Sequence, residues 1–352
     1  MTTQVRAVGA PAEKAPLETM EITRRDVLPE DVRIAVEFCG ICHSDIHTVR
    51  GDWGDMTYPV VPGHEILGTV TEVGANVTKV KVGDTVGVGC LVKSCGECDY
   101  CISGEDHMCS APGGPLLTYA EPDPYMPGHT TQGGYSQEIV VTERFVFSVP
   151  TNLDKAAAAP LMCAGITLYS PLKFWEAGPG KTVGIAGIGG LGHMGIKLAH
   201  ALGAHTVALT TSPEKGELAK KLGADEVILT TDLDAMKAAA ERFDLIISTL
   251  PSDHDMDPFL KLLNRGGTYC VVGAVGNATH PFSLVNLMKR KRSISGSMIG
   301  STRETQEMLD FCGKHNITAD VELISADQVN EAYERVIAGD VQFRFVIDTA
   351  TI

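Results

Sequence analysis

The sequence predicts an irregular, mostly β region followed by a doubly wound parallel α/β region, and three observations lead there. The first part carries short β-rich runs, VRIAVEF, GTVTEVG, GDTVGVG, YSQEIVV and FVFSVP, punctuated throughout by Gly and Pro. From about Asp154 strand-like and amphipathic segments alternate as TVGIAG, HMGIKLAHALGA, TVALTT, PEKGELAKKLGA and EVILT, which is repeated βαβ. The length, 352 residues, suits two domains at roughly 150 residues each.

Composition narrows the function classes. Hydrophobic residues make up 44% and charged residues 21%, enough for ordinary globular cores. A net charge of −15 repels phosphate backbones and anionic surfaces, so neither nucleic acid nor a membrane is the expected partner. The N-terminal MTTQVRAVGAPAEK has no apolar stretch of a secretory signal. The longest apolar region, Val183 to Ala204, is broken by glycines, His193, Lys197 and His200, whereas a span needs ~20 mostly apolar residues. A soluble, cytoplasmic protein is expected.

Along the N-terminal region the first chemical signal is CGICHSDIH, followed by Gly63-His64-Glu65. Next comes KSCGECDYCISGEDHMC, in which Cys95, Cys98, Cys101 and Cys109 form C-x2-C-x2-C-x7-C. Four thiolates on short turns suit a tetrahedral structural zinc with no open position. A bacterial iron–sulfur run places its fourth cysteine after three residues with proline behind it; here seven residues intervene and Ser110 follows. Cys39, Cys90, Cys270 and Cys312 lack such neighbours and are expected to be small buried hydrophobes. The stretch Pro112–Pro127 reads as either a lid or a surface loop.

Leu161-Met162-Cys163-Ala164-Gly165 precedes the α/β region. Taken together, Cys42, His64 and Cys163 offer two thiolates and an imidazole, a three-ligand zinc set with an open fourth position. Strand TVGIAG then runs into Gly187-Ile188-Gly189-Gly190-Leu191-Gly192 and a helix. This is the dinucleotide fingerprint in its required context. Gly187 allows the tight turn, Gly189 lets backbone approach a pyrophosphate, and Gly192 lets helix and strand pack. The region is therefore a Rossmann domain.

An NAD site usually has an acid at the end of its second strand. Here that strand leads into Thr210-Thr211-Ser212-Pro213-Glu214-Lys215, with no acid between His205 and Pro213. Thr210 stands at the acid's place, and Thr211, Ser212 and Lys215 suit a 2′-phosphate, so the expected cofactor is NADP(H). Glu214 reads as a solvent-facing helix-start residue. Further strands follow at FDLIIST and TYCVVGA. After Lys289-Arg290-Lys291-Arg292 come SISGSMIG, the helix TRETQEMLDFCGKHN and the strand-like FRFVID. The expected boundaries are residues 1–153, 154–293 and 294–352.

CGICHSDIH, GDWG, PGHEILG, the four-cysteine loop, APLMCAGIT, GIGGLGHMG and FRFVID occur in one order over essentially the whole chain. In these the sequence resembles the zinc-dependent medium-chain alcohol dehydrogenases. The similarity is greatest to the cinnamyl-alcohol-dehydrogenase-like branch, which includes bacterial NADP-dependent aldehyde reductases.

The resemblance implies a Rossmann domain inserted into a GroES-like, mostly β catalytic domain, two zinc ions per chain, NADP(H), and reversible reduction of aldehydes to primary alcohols. NAD-dependent oxidation of polyols or formaldehyde is the alternative within enzymes, and a non-catalytic NADPH-binding regulator the alternative outside them. By the same resemblance Cys42, His64 and Cys163 hold the catalytic zinc, and Glu65 lies behind it and can ligate it. Asp45 holds the free nitrogen of His64, Ser44 bonds the substrate oxygen beside the cofactor, and His47 passes the proton to solvent. His43 lies near the cofactor phosphates. Trp53 is a pocket wall or, alternatively, a core residue. Thr167, Thr249, Gly273 and Ser297-Met298-Ile299 surround the nicotinamide, and Arg344 meets phosphate. A homodimer is implied as well, with SISGSMIG apolar enough to pair across a two-fold axis or else serving the cofactor loop alone.

Overall fold

A computed structural model describes residues 2–54, 56–273 and 280–352. It divides into two compact units: Met1–Cys163 with Ser301–Ile352, and Ala164–Gly300.

The first unit is built on a sheet whose strands run in the order Val321–Ser325, Arg344–Asp348, Asp31–Gly40, Ile66–Val73, Thr85–Val88 and Phe147–Ser148. The long strand Asp31–Gly40 organises it. Its first half pairs antiparallel with Glu138–Thr142, while Phe38–Gly40 pairs antiparallel with the C-terminal strand, Ile347 opposite Cys39. Val32, Ile34 and Val36 are buried and alternate with half-buried Arg33, Ala35 and Glu37, the period of two that a pleated strand requires. Ile66, Leu67, Val86, Tyr135 and Phe345 fill the core beside them. The tail thus belongs to this unit because its FRFVID segment supplies a strand of this sheet.

The second unit is a parallel sheet in the order Glu226–Leu229, His205–Thr210, Thr182–Ala186, Phe243–Ser248, Leu263–Val271 and Ser293–Gly296. This doubly wound order reverses next to Thr182–Ala186, where such sheets bind dinucleotides. Val183, Ile185 and Ala186 are fully buried, as a central strand covered on both faces demands.

Both boundaries differ from those expected from sequence. Lys155–Ala158 and Ala159–Met162 form two short helical turns that pack on Asp31–Gly40 and Ile66–Val73, so the first unit runs through Cys163 instead of ending at 153. At the other end Ser293–Gly296 hydrogen-bonds to Leu263–Val271, which keeps it in the second unit up to Gly300 instead of 293. Composition changes ahead of the first boundary because alanine-rich turns look like the start of the helical alternation. Packing decides where they belong.

Candidate active site

Helix His43–Arg50 begins at Cys42, and Asp45 in its first turn accepts the Cys42 backbone N–H at 2.8 Å. The helix ends at Gly51, whose φ of +69° suits glycine. This one short helix therefore presents Cys42, Ser44, Asp45 and His47. His64 and Glu65 precede the strand Ile66–Val73, and Cys163 closes the second alanine-rich turn. One ligand atom from each of Cys42, His64, Glu65 and Cys163 lies within 4.8 Å of all the others, and all four residues are buried.

The donor set fits zinc. His64 turns Nδ1 to Asp45 Oδ1 at 3.1 Å, which leaves Nε2 for a metal, the usual outer-sphere arrangement of a ligating histidine. A hydrogen bond from Cys163 holds the Cys42 thiol well below the ordinary range, and the same bond, with one to Cys90 and burial, pushes Cys163 well above it. Burial works against protonating His64, but Cys90, Asp45 and Cys42 outweigh it and hold the ring above its usual range. Both carboxylate oxygens of Glu65 are buried without a hydrogen-bond donor. Burial pushes this carboxyl up to about 8 although Arg344 opposes the shift.

Arg344, expected from the resemblance at the cofactor phosphate, is itself buried here. Its Nη1 is 3.2 Å from Glu65 Oε1 and donates to the Ile41 carbonyl at 3.1 Å. The sheet pairing that brings the C-terminal strand beside Gly40 places it there, so the contact this structure gives it is with Glu65.

His47, on the same helix as Ser44 and Asp45, packs against Trp53. His47 Nδ1 is 2.8 Å from Asp52 Oδ2, while its Nε2 is buried and unpartnered. Trp53 is 47% exposed with its ring 5.6 Å from His47, so the core alternative for this tryptophan fails. Cys90 is half-buried and hydrogen-bonds with Cys163, and so is not a partnerless core thiol; Cys39, Cys270 and Cys312 are fully buried as expected.

The second centre is formed by Cys95, Cys98, Cys101 and Cys109, again within 4.8 Å of one another. Cys95 and Cys101 are 3.8 Å apart and Cys98 and Cys109 4.0 Å. A tetrahedron of metal–sulfur bonds of ~2.3 Å has edges of about 3.8 Å, so the spacing matches four-thiolate zinc. Backbone N–H groups of Cys101 and Ser110 draw Cys98 down to about 5, which favours the thiolate that a metal needs. Pro112–Pro127 is anchored in its middle and does not hang free: Leu116–Leu117 pairs with Leu91–Lys93, and Thr118 and Tyr119 are buried.

In the second unit each glycine of the fingerprint has its own reason. Gly187 has a φ of +89°. A Cβ on Gly192 would lie 1.9 Å from the Gly187 carbonyl oxygen, whereas one on Gly189 would meet nothing within 4 Å. The first and third glycines hold the turn, and the second faces the open space that a pyrophosphate would take. Ile188, Gly190 and Leu191 complete the turn into helix Gly192–Ala201. The Thr249 hydroxyl donates to Gly187 O at 2.9 Å, so it holds the turn from below. A Cβ on Gly273 would come 2.8 Å from Thr249, which explains glycine there. Thr167 is buried in helix Ala164–Phe174. In Ser297-Met298-Ile299 the last residue adopts φ +48°, a costly conformation for a β-branched side chain.

At the end of the second strand the four expected phosphate contacts differ in exposure and partners. Thr210 is buried, and its oxygen accepts the Ser212 N–H at 3.2 Å, so Thr211 is the first exposed position beyond the strand. Ser212 caps helix Pro213–Lys221, accepting the Lys215 N–H and donating to Glu214 at 2.7 Å. Its hydroxyl is committed to that cap. Thr211 and Lys215 remain exposed.

Residues 28–151 match the alcohol dehydrogenase GroES-like domain and residues 190–314 the zinc-binding dehydrogenase domain. The chain belongs to the zinc-binding medium-chain alcohol dehydrogenases, oxidoreductases that act on alcohols and aldehydes. It is 54% identical to aldehyde reductase YahK of Escherichia coli over 350 residues, covering 99% of both chains. It is 49% identical to NADP-dependent alcohol dehydrogenase C 1 of Mycolicibacterium smegmatis, again over 99% of both. The crystal structure of a cinnamyl alcohol dehydrogenase from Helicobacter pylori complexed with NADP(H) superposes with a TM-score of 0.92, at 38% identity, covering 99% of each chain.

Asp52, Tyr119, Tyr135 and the Glu65–Arg344 pairing escaped the sequence reading. Tyr119 lies in a stretch with no regular period, and Glu65 and Arg344 are brought together only by the sheet.

Proposed function

We propose that this alcohol dehydrogenase reduces aldehydes to primary alcohols with NADPH, RCHO + NADPH + H⁺ ⇌ RCH2OH + NADP⁺, at the centre of Cys42, His64 and Cys163. The carrying observation is the buried two-thiol, one-imidazole set with Glu65 behind it. Bound zinc supplies Lewis-acid polarisation of the carbonyl, and NADPH supplies the hydride. The chain's own residues hold and move the proton. Ser44 donates to the substrate oxygen, and His47 replaces that proton from its Nε2 side while Asp52 fixes Nδ1. Imidazole titrates near neutral pH and suits this relay. Asp45 fixes the tautomer of His64. Arg344 faces the Glu65 carboxyl and favours its ionised form against burial.

NADPH is preferred over NADH because the exposed strand end offers Thr211 and Lys215 and no carboxylate at that position. The same feature disfavours NAD-dependent polyol or formaldehyde oxidation. A complete set of two thiols and one imidazole disfavours a non-catalytic NADPH binder. The decisive measurement is oxidation of NADPH and of NADH with benzaldehyde, an aliphatic aldehyde and formaldehyde, with and without chelator. Turnover that survives removal of zinc, or that uses NADH as well as NADPH, overturns the proposal.

We also propose a cytoplasmic homodimer. Ten free thiols suit a reducing compartment, and among the described residues no helix is long and apolar enough to cross a membrane. Strand Ser293–Gly296 is the outer strand of its sheet, with Leu284, Met288 and Met298 exposed in the same unit. An open strand edge with apolar neighbours favours pairing with a second copy. A monomeric mass by light scattering at micromolar concentration refutes the dimer.

A further inference from the structure

The His64 ring has two oxygen neighbours at one nitrogen. Its Nδ1 lies 3.1 Å from Asp45 Oδ1 and equally 3.1 Å from the hydroxyl of Tyr119. Tyr119 is buried, and its ring centroid is 5.7 Å from that of His64. A single N–H therefore has two acceptors within reach.

Asp45 cannot serve the imidazole alone. It is fully buried, and Oδ1 already accepts the Gly63 N–H at 3.0 Å. Oδ2 accepts the Cys42 N–H at 2.8 Å and the Tyr135 hydroxyl at 3.2 Å. A carboxylate has about four lone-pair sites. With His64 added, all four are in use, three of the donors come from outside the imidazole, and the Tyr119 hydroxyl lies within hydrogen-bonding reach of Asp45 as well. A second acceptor at Nδ1, the Tyr119 hydroxyl, then helps to settle the ring's rotation about the Cβ–Cγ bond, which directs Nε2.

We propose that Tyr119 is a positioning residue of the catalytic metal site: its hydroxyl shares the His64 Nδ1 proton with Asp45 and so holds the imidazole aimed at the metal. This rests on Cys42, His64 and Cys163 holding zinc, which zinc stoichiometry of the unaltered enzyme tests separately. Outer partners of metal-bound histidines typically govern affinity or activity by 10–100-fold. Because Asp45 stays in place, Tyr119→Phe falls at the lower end.

The test uses zinc-loaded full-length enzyme and a chromophoric chelator competing for the metal. The four-cysteine zinc serves as internal control in the same molecule. Tyr119→Phe is expected to release the catalytic zinc about tenfold more readily while the four-cysteine zinc is unmoved. It should also shift the visible band of cobalt substituted at the catalytic site and lower kcat at saturating zinc with KM for NADPH unchanged. Tyr135→Phe, which removes a donor to Asp45 without touching His64, should leave affinity within about twofold. Equal loosening of both zincs in Tyr119→Phe, an unshifted cobalt band, or unchanged catalytic-zinc affinity overturns the proposal. If Tyr119→Phe fails to fold, Tyr119→His, which keeps a hydrogen-bonding atom on a ring, is compared with Tyr119→Leu; equal catalytic-zinc affinity in the two overturns it as well.

Discussion

Replacing Arg344 by Met tests whether Glu65 depends on one counter-charge. The pair is 3.2 Å apart, and both side chains are almost wholly shielded from water. Neither Glu65 oxygen has a hydrogen-bond donor to fall back on, and burial already pushes the carboxyl up to about 8 with Arg344 present. Above about pH 8 the carboxyl is ionised, and there removing Arg344 leaves an uncompensated buried charge and costs about 3–5 kcal/mol; at lower pH the carboxyl takes up a proton instead and the loss is smaller. At about 2–4 °C per kcal/mol for a unit of this size, the melting transition of the first unit should fall by roughly 6–20 °C. Glu65→Gln should cost less, since an amide oxygen would still face the guanidinium. The double variant Glu65→Gln/Arg344→Met should be more stable than Arg344→Met alone, a coupling of about 0.5–3 kcal/mol. Zinc beside Glu65 would substitute in part for the missing positive charge, so the loss should be larger after chelation than in the zinc-loaded enzyme. The assay is thermal unfolding of all four proteins above about pH 8, with and without chelator. A shift below about 2 °C for Arg344→Met, or purely additive single changes, refutes the reasoning.

For the cofactor, Thr211→Asp with Lys215→Ala should lower the NADPH-to-NADH ratio of kcat/KM by about 10²–10⁴, the worth of two charge-assisted hydrogen bonds to the 2′-phosphate; an unchanged ratio places the phosphate elsewhere. Gly189→Ala should keep its melting temperature, since its Cβ meets open space, yet weaken NADPH binding measured by fluorescence. Gly192→Ala should lose about 1–3 kcal/mol of stability from the 1.9 Å collision with Gly187 O, and equal melting of the two variants contradicts this division of roles. Metal analysis should find two zinc ions per chain. Cys42→Ala should keep one, remain folded and lose turnover, while Cys98→Ala should lose the other and fall in soluble yield; a single zinc in active enzyme defeats the assignment.

The sequence by itself determined the features whose chemistry is local. Four cysteines within fifteen residues bring their own ligand geometry, and Gly187, Gly189 and Gly192 form one turn, so spacing alone carries their meaning. The alternation in VRIAVEF and the βαβ repeat likewise read directly, because a strand or helix face is set by neighbours along the chain. What stayed hidden depends on residues far apart in sequence. Glu65 and Arg344 meet because the C-terminal strand returns to pair with the end of Asp31–Gly40. Tyr119 reaches His64 because a loop without periodicity is anchored at Leu116–Leu117. The domain boundaries moved for the same reason, since 155–163 and Ser293–Gly296 are claimed by the sheets they pack on and not by their composition. At Thr210 the difference was a single residue: a strand sends successive side chains to opposite faces, and only the folded strand shows that Thr210 turns inward and Thr211 is exposed.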